Sequence, residues 1–398
     1  MSANIVGSPA REKEFFNRER IIKLLWEKLE TDNILLTAPR RFGKTSVMYK
    51  LYDEPKQGFK VIVFDLEPVV EPVDFVATLL EKLREDEKIW NTLRKSINAL
   101  KNLLNKLELG AEIEGVDFKI KIKEELKKNW KEIGKGIITK LEKSDEKVIL
   151  ILDEFAIMIE NFLDDRLGEN EVKEFLHWFR SLRISPNQNN CRFVVGSSIS
   201  IDHHLSKLGI LATFNDFQRL EVGELENSEK AEEFLEKLLQ DSDIILSQES
   251  KKTVLQLVGP PIPYFIQVMV SQIINKFEST GKTVEVDEVE NIYKADVLGV
   301  TCKSYFQIYY DRLKYYNKIN EKVSKEFLKE LAIVGEVSKS NLYQKYLKIT
   351  QHDSDVDGFN NVMSDLENDF YIKYKYDTDS YIFYSKILKD WWKRYYSL

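Results

Sequence analysis

The segment Ile34–Ser46 constrains the fold more than any other part of this chain. It begins with an apolar run typical of a β-strand and passes through a tight loop that ends in Gly43-Lys44-Thr45. The segment Val47–Leu51, which has helical character, follows directly. A strand, such a loop and a helix form a cradle for phosphate, because the N–H groups at a helix start face inward and the helix dipole favours an anion. Lys44 is expected to reach the terminal phosphates of a nucleotide, and the Thr45 hydroxyl to hold Mg²⁺.

One position of the loop departs from the usual phosphate-binding pattern, because Ala38 stands where the motif has its first glycine. A small residue is compatible with the turn, and strand, loop and helix still follow in the order that the motif requires. The alternative is a chance Gly-Lys-Thr on a surface turn. We predict that the loop binds the nucleotide through Ala38, Pro39, Arg40, Arg41, Phe42, Gly43, Lys44, Thr45 and Ser46.

A second segment, Lys147–Glu154, places five apolar residues directly before two carboxylates. In open α/β sheets, ligands bind outside the carboxyl ends of the strands. We predict that Asp153 orients the shell of Mg²⁺ and that Glu154 polarises the water that attacks the nucleotide. Two acids after a strand are a weak signal alone. Together with the phosphate loop they become specific, because metal-assisted phosphoryl chemistry needs both parts.

Two further apolar runs, Lys60–Leu66 and Cys191–Ser198, are typical of buried strands in a parallel sheet. We interpret Phe217–Val222 as the last core strand. Ser198, at the end of the second run, is a candidate sensor of the γ-phosphate or of the attacking water, and the alternative is a simple tight turn. The pattern as a whole predicts an α/β fold in which a parallel sheet carries helices on both faces.

Between the second and third strands, residues 85–143 are strongly charged and carry helical periodicity in pieces. We interpret this stretch as an insertion into the core. Within it, Ile113–Ile122 alternates, with Val116, Phe118, Ile120 and Ile122 on one face, which predicts a hairpin or a single β-ribbon.

The bulk composition limits the classes of protein that remain. At 398 residues the chain is long enough for two or three domains, and its 43% hydrophobic and 31% charged residues are ordinary for a globular protein. A net charge of −7 confines any contact with DNA to a local patch. Two widely separated cysteines, Cys191 and Cys302, suggest a reducing compartment. Since neither a signal peptide nor an apolar run of membrane-spanning length is recognisable, we expect a cytoplasmic protein.

The second half of the chain predicts two smaller domains. Helical patterns cover 227–239, 247–257 and 265–277, and the proline-rich segment Val258–Tyr264 interrupts them. Further on, three helical segments precede two alternating runs joined by a polar turn, which is the order of a winged helix. These segments are Lys325–Val334, Ser338–Leu347, Val356–Asn368, Phe370–Tyr376 and Tyr381–Tyr384.

With these segments in place, the sequence resembles the archaeal-type ATPases, which are P-loop proteins of the AAA+/STAND group. The matching residues span nearly the whole chain. They are Phe16-Asn17-Arg18-Glu19, Ala38 to Ser46, Leu152-Asp153-Glu154, Gly196-Ser197-Ser198, Gly259 with Pro263-Tyr264, and Leu388-Lys389-Asp390-Trp391-Trp392. The segment Gly259–Pro263 is two residues longer than the compact family form, and residues 85–143 lie outside the shared part.

The resemblance implies a P-loop ATPase core (1–223), a small helical lid domain (224–300) and a C-terminal winged-helix domain (301–398). It implies ATP rather than GTP, Mg²⁺ as the metal and a slow switch rather than a fast metabolic enzyme. On this basis Phe16, Arg18, Pro263 and Tyr264 are added to the nucleotide contacts. The expected catalytic residues are Lys44, Glu154 and Ser198, and the expected metal ligands are Thr45 and Asp153.

Two functions compete at this point. The first is a nucleotide-dependent switch that hydrolyses ATP and acts on a protein partner, and the second is an ATP-gated DNA-binding protein. The helix Ser338–Lys348, the candidate DNA-reading helix, carries three lysines and no acid, which favours phosphate contacts. The following segment to Asp369 is rich in aspartate, which would repel a duplex. A homo-oligomer also stays open, and no membrane partner is expected.

Arginines are a further expected part of the site, because a guanidinium stabilises the charge of a phosphoryl group in transfer. We expect Arg40 and Arg41 to pair with acids of the lid or of a neighbouring domain. Arg180 and Arg183 lie on the helix before the Cys191 strand and are candidates to act on the site of a neighbouring subunit. The alternative is that all four are ordinary surface arginines.

Overall fold

The computed structural model describes residues 4–102, 116–164, 167–184, 190–197, 199 and 201–396. The chain divides into two compact units. The first, called the sheet unit here, comprises residues 10–40 and 44–222. The second, called the C-terminal unit, comprises residues 1–9, 223–398 and the three loop residues 41–43.

The sheet unit is built on five parallel strands. In chain order they are β1 (Asn33–Thr37), β2 (Phe59–Asp65), β3 (Lys147–Asp153), β4 (Cys191–Ser197) and β5 (Phe217–Glu221). Their spatial order is β2-β3-β4-β1-β5. All five strands were predicted. The strands β1 to β4 are mostly buried apolar runs, as is typical of a parallel sheet covered on both faces. β5 lies at the edge of the sheet, and its Gln218, Arg219 and Glu221 are exposed.

Helices cover both faces of this sheet. The connection from β1 to β2 passes β4 and β3, whereas the connection from β4 to β5 passes β1 in the opposite direction. Right-handed crossovers that run in opposite directions place their helices on opposite faces. The helices are α1 (Glu19–Lys28), α2 (Lys44–Asp53), α3 (Pro72–Arg84), α4 (Glu87–Ser96), α5 (Val116–Leu126), α6 (Trp130–Leu141), α7 (Phe155–Asp164), α8 (Glu169–Arg183) and α9 (Ile201–Lys207). The predicted α/β class is confirmed.

The β-ribbon predicted for Ile113–Ile122 is wrong over its described part. Residues 113–115 lie outside the described residues, and from Val116 onward the chain is α5. In an alternating strand Ile120 and Ile122 would share a face, but Ile120 is 60% exposed while Ile122 is fully buried. Leu126, four residues after Ile122, is also buried, so the helical i, i+4 spacing determines which residues enter the core.

Arg183 lies inside the sheet unit rather than on its surface. Its guanidinium donates two hydrogen bonds to Asp216, at 2.9 and 3.0 Å, and a third to the carbonyl oxygen of Thr213, at 2.6 Å. The same group lies over the rings of Phe179 and Phe217, at 4.4 and 4.5 Å. Burial lowers the pKa of Arg183, and the hydrogen bond to Asp216 opposes that shift. The side chain therefore ties α8 to the chain before β5 and is not displayed to a neighbouring subunit.

Arg180, one turn earlier on α8, also bonds within the chain. It donates to the carbonyl oxygen of Ala212 at 2.6 Å and to Asn215 Oδ1 at 2.9 Å. Both arginines thus hold the segment between α9 and β5, which is a structural role that the sequence pattern did not reveal.

The C-terminal unit consists of helices and a small antiparallel sheet. The helices are α10 (Ser228–Leu239), α11 (Gln248–Val258), α12 (Pro263–Thr280), α13 (Val286–Ile292), α14 (Lys303–Arg312), α15 (Lys318–Val334), α16 (Lys339–Thr350), α17 (Val356–Asn368) and α18 (Lys386–Tyr396). The strands β6 (Glu336–Ser338), β7 (Ile372–Lys375) and β8 (Ser380–Phe383) form a sheet in the order β6-β8-β7. The sequence predicted the ribbon of β7 and β8 but not β6, which has only three residues.

The closing helix α18 anchors the C-terminal unit through its two tryptophans. Trp391 and Trp392 are fully buried, and Trp391 stacks on Phe306 of α14 at a centroid distance of 5.9 Å. Asp390 accepts hydrogen bonds from Tyr293 at 2.8 Å and from Lys386 at 2.7 Å. Within the described residues, no helix is long and apolar enough to cross a membrane.

The buried position of Arg183 leads to a prediction about stability. Arg183→Ala leaves Asp216 without its partner, so we expect a loss of about 3–5 kcal/mol in the free energy of unfolding. The matched control Arg180→Ala, which removes exposed hydrogen bonds, should cost about 1 kcal/mol. Urea denaturation of the two variants and the parent measures both. An Arg183→Ala protein that is as stable as the parent would contradict this structural role.

Candidate functional site

The register of the parallel strands brings distant residues to one edge of the sheet. Leu152 of β3 pairs with Val195 of β4, and Ser197 of β4 pairs with Thr37 of β1. The residues that directly follow β3 and end β4 therefore lie beside the start of the phosphate loop. The connections from β1 and from β4 leave in opposite directions, and this is the switch point at which open α/β sheets bind ligands.

Lys44 and Asp153 form a buried ion pair at this edge. The Lys44 ammonium donates a hydrogen bond to Asp153 Oδ1, and its Nζ lies 3.9 Å from Glu154 Oε1. The Thr45 hydroxyl donates to Asp153 Oδ2 at 3.0 Å. Lys44, the predicted phosphate-binding residue, and Thr45, one predicted metal ligand, therefore both bond to the carboxylate of Asp153, the other predicted metal ligand. In the sequence, 109 positions separate Lys44 from Asp153.

Glu154 has a strained backbone. Its φ angle of 56° is in the left-handed region, which costs a residue with a Cβ about 1–2 kcal/mol. Its N–H donates to Asp153 Oδ1 at 2.9 Å. Strain of this kind persists where the surrounding structure holds the chain, and it occurs often at functional sites. The sharp turn between β3 and α7 presents the Glu154 carboxylate beside Lys44.

Ser197 is a site residue that the sequence analysis missed. Its hydroxyl donates to Glu154 Oε2 at 3.4 Å. The prediction chose Ser198, which lies outside the described residues. The two serines are adjacent at the strand end, and only the alternation of side chains along β4 could have favoured Ser197.

Gly196 is also part of the site, because it allows α2 to approach β4 closely. A Cβ at Gly196 would lie 2.1 Å from Met48 Cε and 3.2 Å from Lys44 Cδ. Any larger residue would displace the aliphatic stem of Lys44. The small residue at this position therefore preserves the path of Lys44 to Asp153.

Several of the remaining predicted nucleotide contacts are buried or contact other residues of the protein. Ser46 accepts a hydrogen bond from the N–H of Ala10 at 2.8 Å, and Ala38 and Arg18 are buried within the sheet unit. In the C-terminal unit, the Arg41 guanidinium lies 4.9 Å from the ring of Tyr264. A nucleotide-binding role for these residues stays a prediction. The same holds for Pro39, Arg40, Phe42, Phe16 and Pro263.

The oxygen donors at the sheet edge fit Mg²⁺. Mg²⁺ prefers hard oxygen ligands, keeps several waters, and takes one or two carboxylates together with phosphate oxygens. The Thr45 hydroxyl and the Asp153 carboxylate, 3.0 Å apart, match that donor set. Elsewhere in the described part of the chain, no group of three or more His, Cys, Asp or Glu residues could hold a metal ion. Burial lowers the pKa of His204 to about 3 and keeps it neutral.

Comparison with known proteins supports the fold. The chain is similar to the structure of a Walker-type ATPase of Pyrococcus abyssi, with a TM-score of 0.65, 14% identity and coverage of 98% of this chain and 99% of that chain. It is also similar to the ORC2 protein of Aeropyrum pernix in ADPNP–ADP complexes, with a TM-score of 0.53, 10% identity and coverage of 96% and 97%. No family model matches the sequence, and no curated protein is significantly similar to it.

At these identities the likeness establishes the fold and no more. The chain has the fold of the P-loop ATPases, with a parallel five-stranded sheet followed by helices and a small C-terminal sheet. The resemblance to archaeal-type P-loop ATPases is thereby confirmed at the level of the fold.

The backbone of Glu154 leads to a second prediction. Glu154→Gly and Glu154→Ala both remove the carboxylate, but only glycine adopts the left-handed conformation without steric cost. We expect the glycine variant to be more stable than the alanine variant by about 1 kcal/mol in urea denaturation without nucleotide. Equal stability, or a more stable alanine variant, would contradict a left-handed backbone at this residue.

Proposed function

We propose that this protein binds Mg-ATP and hydrolyses it slowly, as a AAA+/STAND-type switch that acts on a protein partner. The observation that carries the proposal is the convergence of Lys44, Thr45, Asp153 and Glu154 at one edge of a parallel sheet. A lysine, a hydroxyl and two carboxylates directly after a phosphate loop are the groups that metal-assisted phosphoryl transfer requires.

Each residue has a distinct task in this proposal. Lys44 exchanges Asp153 for the terminal phosphate oxygens when nucleotide binds. Thr45 and Asp153 would hold Mg²⁺, which when bound neutralises charge on the phosphates. Glu154 accepts the proton of the attacking water, and Ser197 orients its carboxylate through the hydroxyl hydrogen bond at 3.4 Å.

The switch role and the slow turnover rest on the resemblance to the AAA+/STAND group. In the structure Lys44 is paired with Asp153, and both side chains are almost completely buried. Phosphate oxygens that bind Lys44 would replace Asp153 as its partner, so the two proposed states differ in the partner of this lysine.

Point variants at the sheet edge test the proposed site. Lys44→Ala should abolish binding of ATP in calorimetry, while Lys50→Ala, on the same helix but paired with the exposed Glu54, should leave it intact. Asp153→Asn should weaken binding mainly in the presence of Mg²⁺. Tight ATP binding by Lys44→Ala would refute the assignment of the phosphate loop.

The catalytic role of Glu154 is tested separately. Glu154→Gln should retain ATP and lose hydrolysis by about 10²–10⁴-fold, because the shape is kept and the base is removed. Asp65 ends β2 and lies opposite Asp153 in the backbone pairing of β2 with β3, so it provides the control carboxylate. Asp65→Asn should hydrolyse ATP at the parent rate, and unchanged turnover in Glu154→Gln would assign the base elsewhere.

We further propose the three-domain division into an ATPase core (1–223), a helical lid (224–300) and a winged-helix domain (301–398). The helix–strand–helix–helix–strand–strand order of α15, β6, α16, α17, β7 and β8 supports the winged helix. The cytoplasmic location and the existence of a protein partner stay predictions.

DNA binding through this domain is the second candidate, and its charges disfavour it. In a helix-turn-helix the second helix enters the major groove, and here that helix is α17, which has no lysine or arginine. Of the lysines on α16, Lys345 forms an ion pair with Glu330 at 2.9 Å. Lys375 pairs with Glu336, whose pKa is lowered to about 2 by hydrogen bonds from Lys375, Ser380 and Thr378.

We therefore expect no binding of duplex DNA by the full chain, even at low salt and with ATP present. Fluorescence anisotropy across a salt series measures this directly. Binding that weakens steeply with salt would indicate several phosphate contacts and would favour the DNA-binding alternative.

A further inference from the structure

The side chain of Phe42, in the middle of the phosphate loop, is buried in the C-terminal unit. Residues Arg41–Gly43 belong to that unit, and Phe42 is only 2% exposed. Its ring packs against Phe370, which follows α17, and against Tyr384, which follows β8, at centroid distances of 6.1 Å each. Phe370 and Tyr384 themselves form an edge-to-face pair at 5.4 Å. The Tyr384 hydroxyl donates to Glu224 Oε2 at 2.6 Å, away from the ring contacts with Phe42 and Phe370.

The backbone next to Phe42 needs this support. Arg41 has a φ angle of 72°, a left-handed conformation that is unfavourable for a residue with a Cβ. Its guanidinium donates to the carbonyl oxygen of Gly7 at 2.7 Å and lies over the ring of Tyr264. Strained backbone persists only where the surroundings over-determine it. Arg41 contacts Gly7 and Tyr264, and Phe42 contacts Phe370 and Tyr384. These contacts hold the backbone of the two residues that precede Gly43.

We propose that Phe370 and Tyr384 are positioning residues for nucleotide binding, acting through Phe42. The aromatic pair holds Phe42 and thereby maintains the loop conformation from which Gly43 leads into Lys44 and Thr45. Phe370 and Tyr384 thus preorganise the backbone of Arg41–Gly43, although Tyr384 lies 342 positions after Phe42 in the sequence. This inference rests on the proposed ATP binding, but its first test does not require a nucleotide.

Preorganisation determines the size of the expected effect. A loop that is held in its binding conformation loses less entropy when a ligand binds, so its release weakens affinity. The contribution of one aromatic pair corresponds to roughly a 2- to 10-fold change in an equilibrium constant. Removing Tyr384 should therefore weaken nucleotide binding by that factor and leave Lys44 and Asp153 in place.

The first experiment measures amide hydrogen exchange of a peptide that covers residues 41–46, without nucleotide. Tyr384→Ala should accelerate exchange there by roughly 2- to 10-fold, whereas Tyr384→Phe, which keeps the ring, should match the parent. Tyr310→Ala removes a different aromatic pair of the same unit, the Tyr310–Tyr396 stack, and should leave residues 41–46 unchanged. If Tyr384→Ala does not fold, Tyr384→Leu replaces it. Unchanged exchange in the folded variant overturns the inference, whether or not the protein binds ATP.

The second experiment is a double-mutant cycle on the affinity for ADPNP, measured by calorimetry. Phe42→Ala and Tyr384→Ala should each weaken binding by roughly 2- to 10-fold, and the double variant should be no weaker than the worse single variant. Additive losses, or a loss in Phe42→Ala alone, overturn the inference while leaving the proposed function intact. A parent protein that does not bind ADPNP refutes the proposed function instead, and the exchange experiment then decides the inference alone.

Discussion

The ion pair between Lys44 and Asp153 is the interaction on which the organisation of the site depends. It forms because β1, β3 and β4 are parallel and in register, so that their carboxyl ends meet at one edge. A buried ammonium without a partner is strongly destabilising, so the placement of Lys44 at the start of α2 requires an acid at the end of β3. The arrangement of the sheet and the chemistry of the site are therefore parts of one electrostatic constraint.

This constraint also shapes what a nucleotide must do. Asp153 accepts hydrogen bonds from Lys44, from the Thr45 hydroxyl and from the N–H of Glu154, so the oxygens that suit a metal ion are occupied by the protein's own donors. In the proposed function, a cation would contact oxygens of Asp153 while phosphate oxygens would contact the Lys44 ammonium, so both charged side chains would keep a partner.

Phe42 stands in the middle of the phosphate loop, within the segment Arg41–Gly43 that belongs to the C-terminal unit. An aromatic side chain does not form favourable polar contacts with phosphate oxygens, so the proposed nucleotide binding alone does not account for Phe42. Its burial between Phe370 and Tyr384 explains why a large apolar residue is present in a loop of otherwise polar function.

The sequence by itself determined the five strands, the phosphate loop and the paired carboxylates. It did so because apolar runs, loop residues and helix starts report the local backbone and its burial. It also indicated the three helices and the ribbon of the C-terminal half. It failed for Ile113–Ile122, where apolar residues fit an alternating and a helical spacing at once and only packing separates the two. Tertiary structure alone decided that Arg183 is buried and bonds to Asp216, and that Ser197 bonds to Glu154. It also decided that Phe42 packs against Phe370 and Tyr384. These contacts join residues far apart in the chain, and a side chain's partner depends on which segments the fold brings together, which no local pattern encodes.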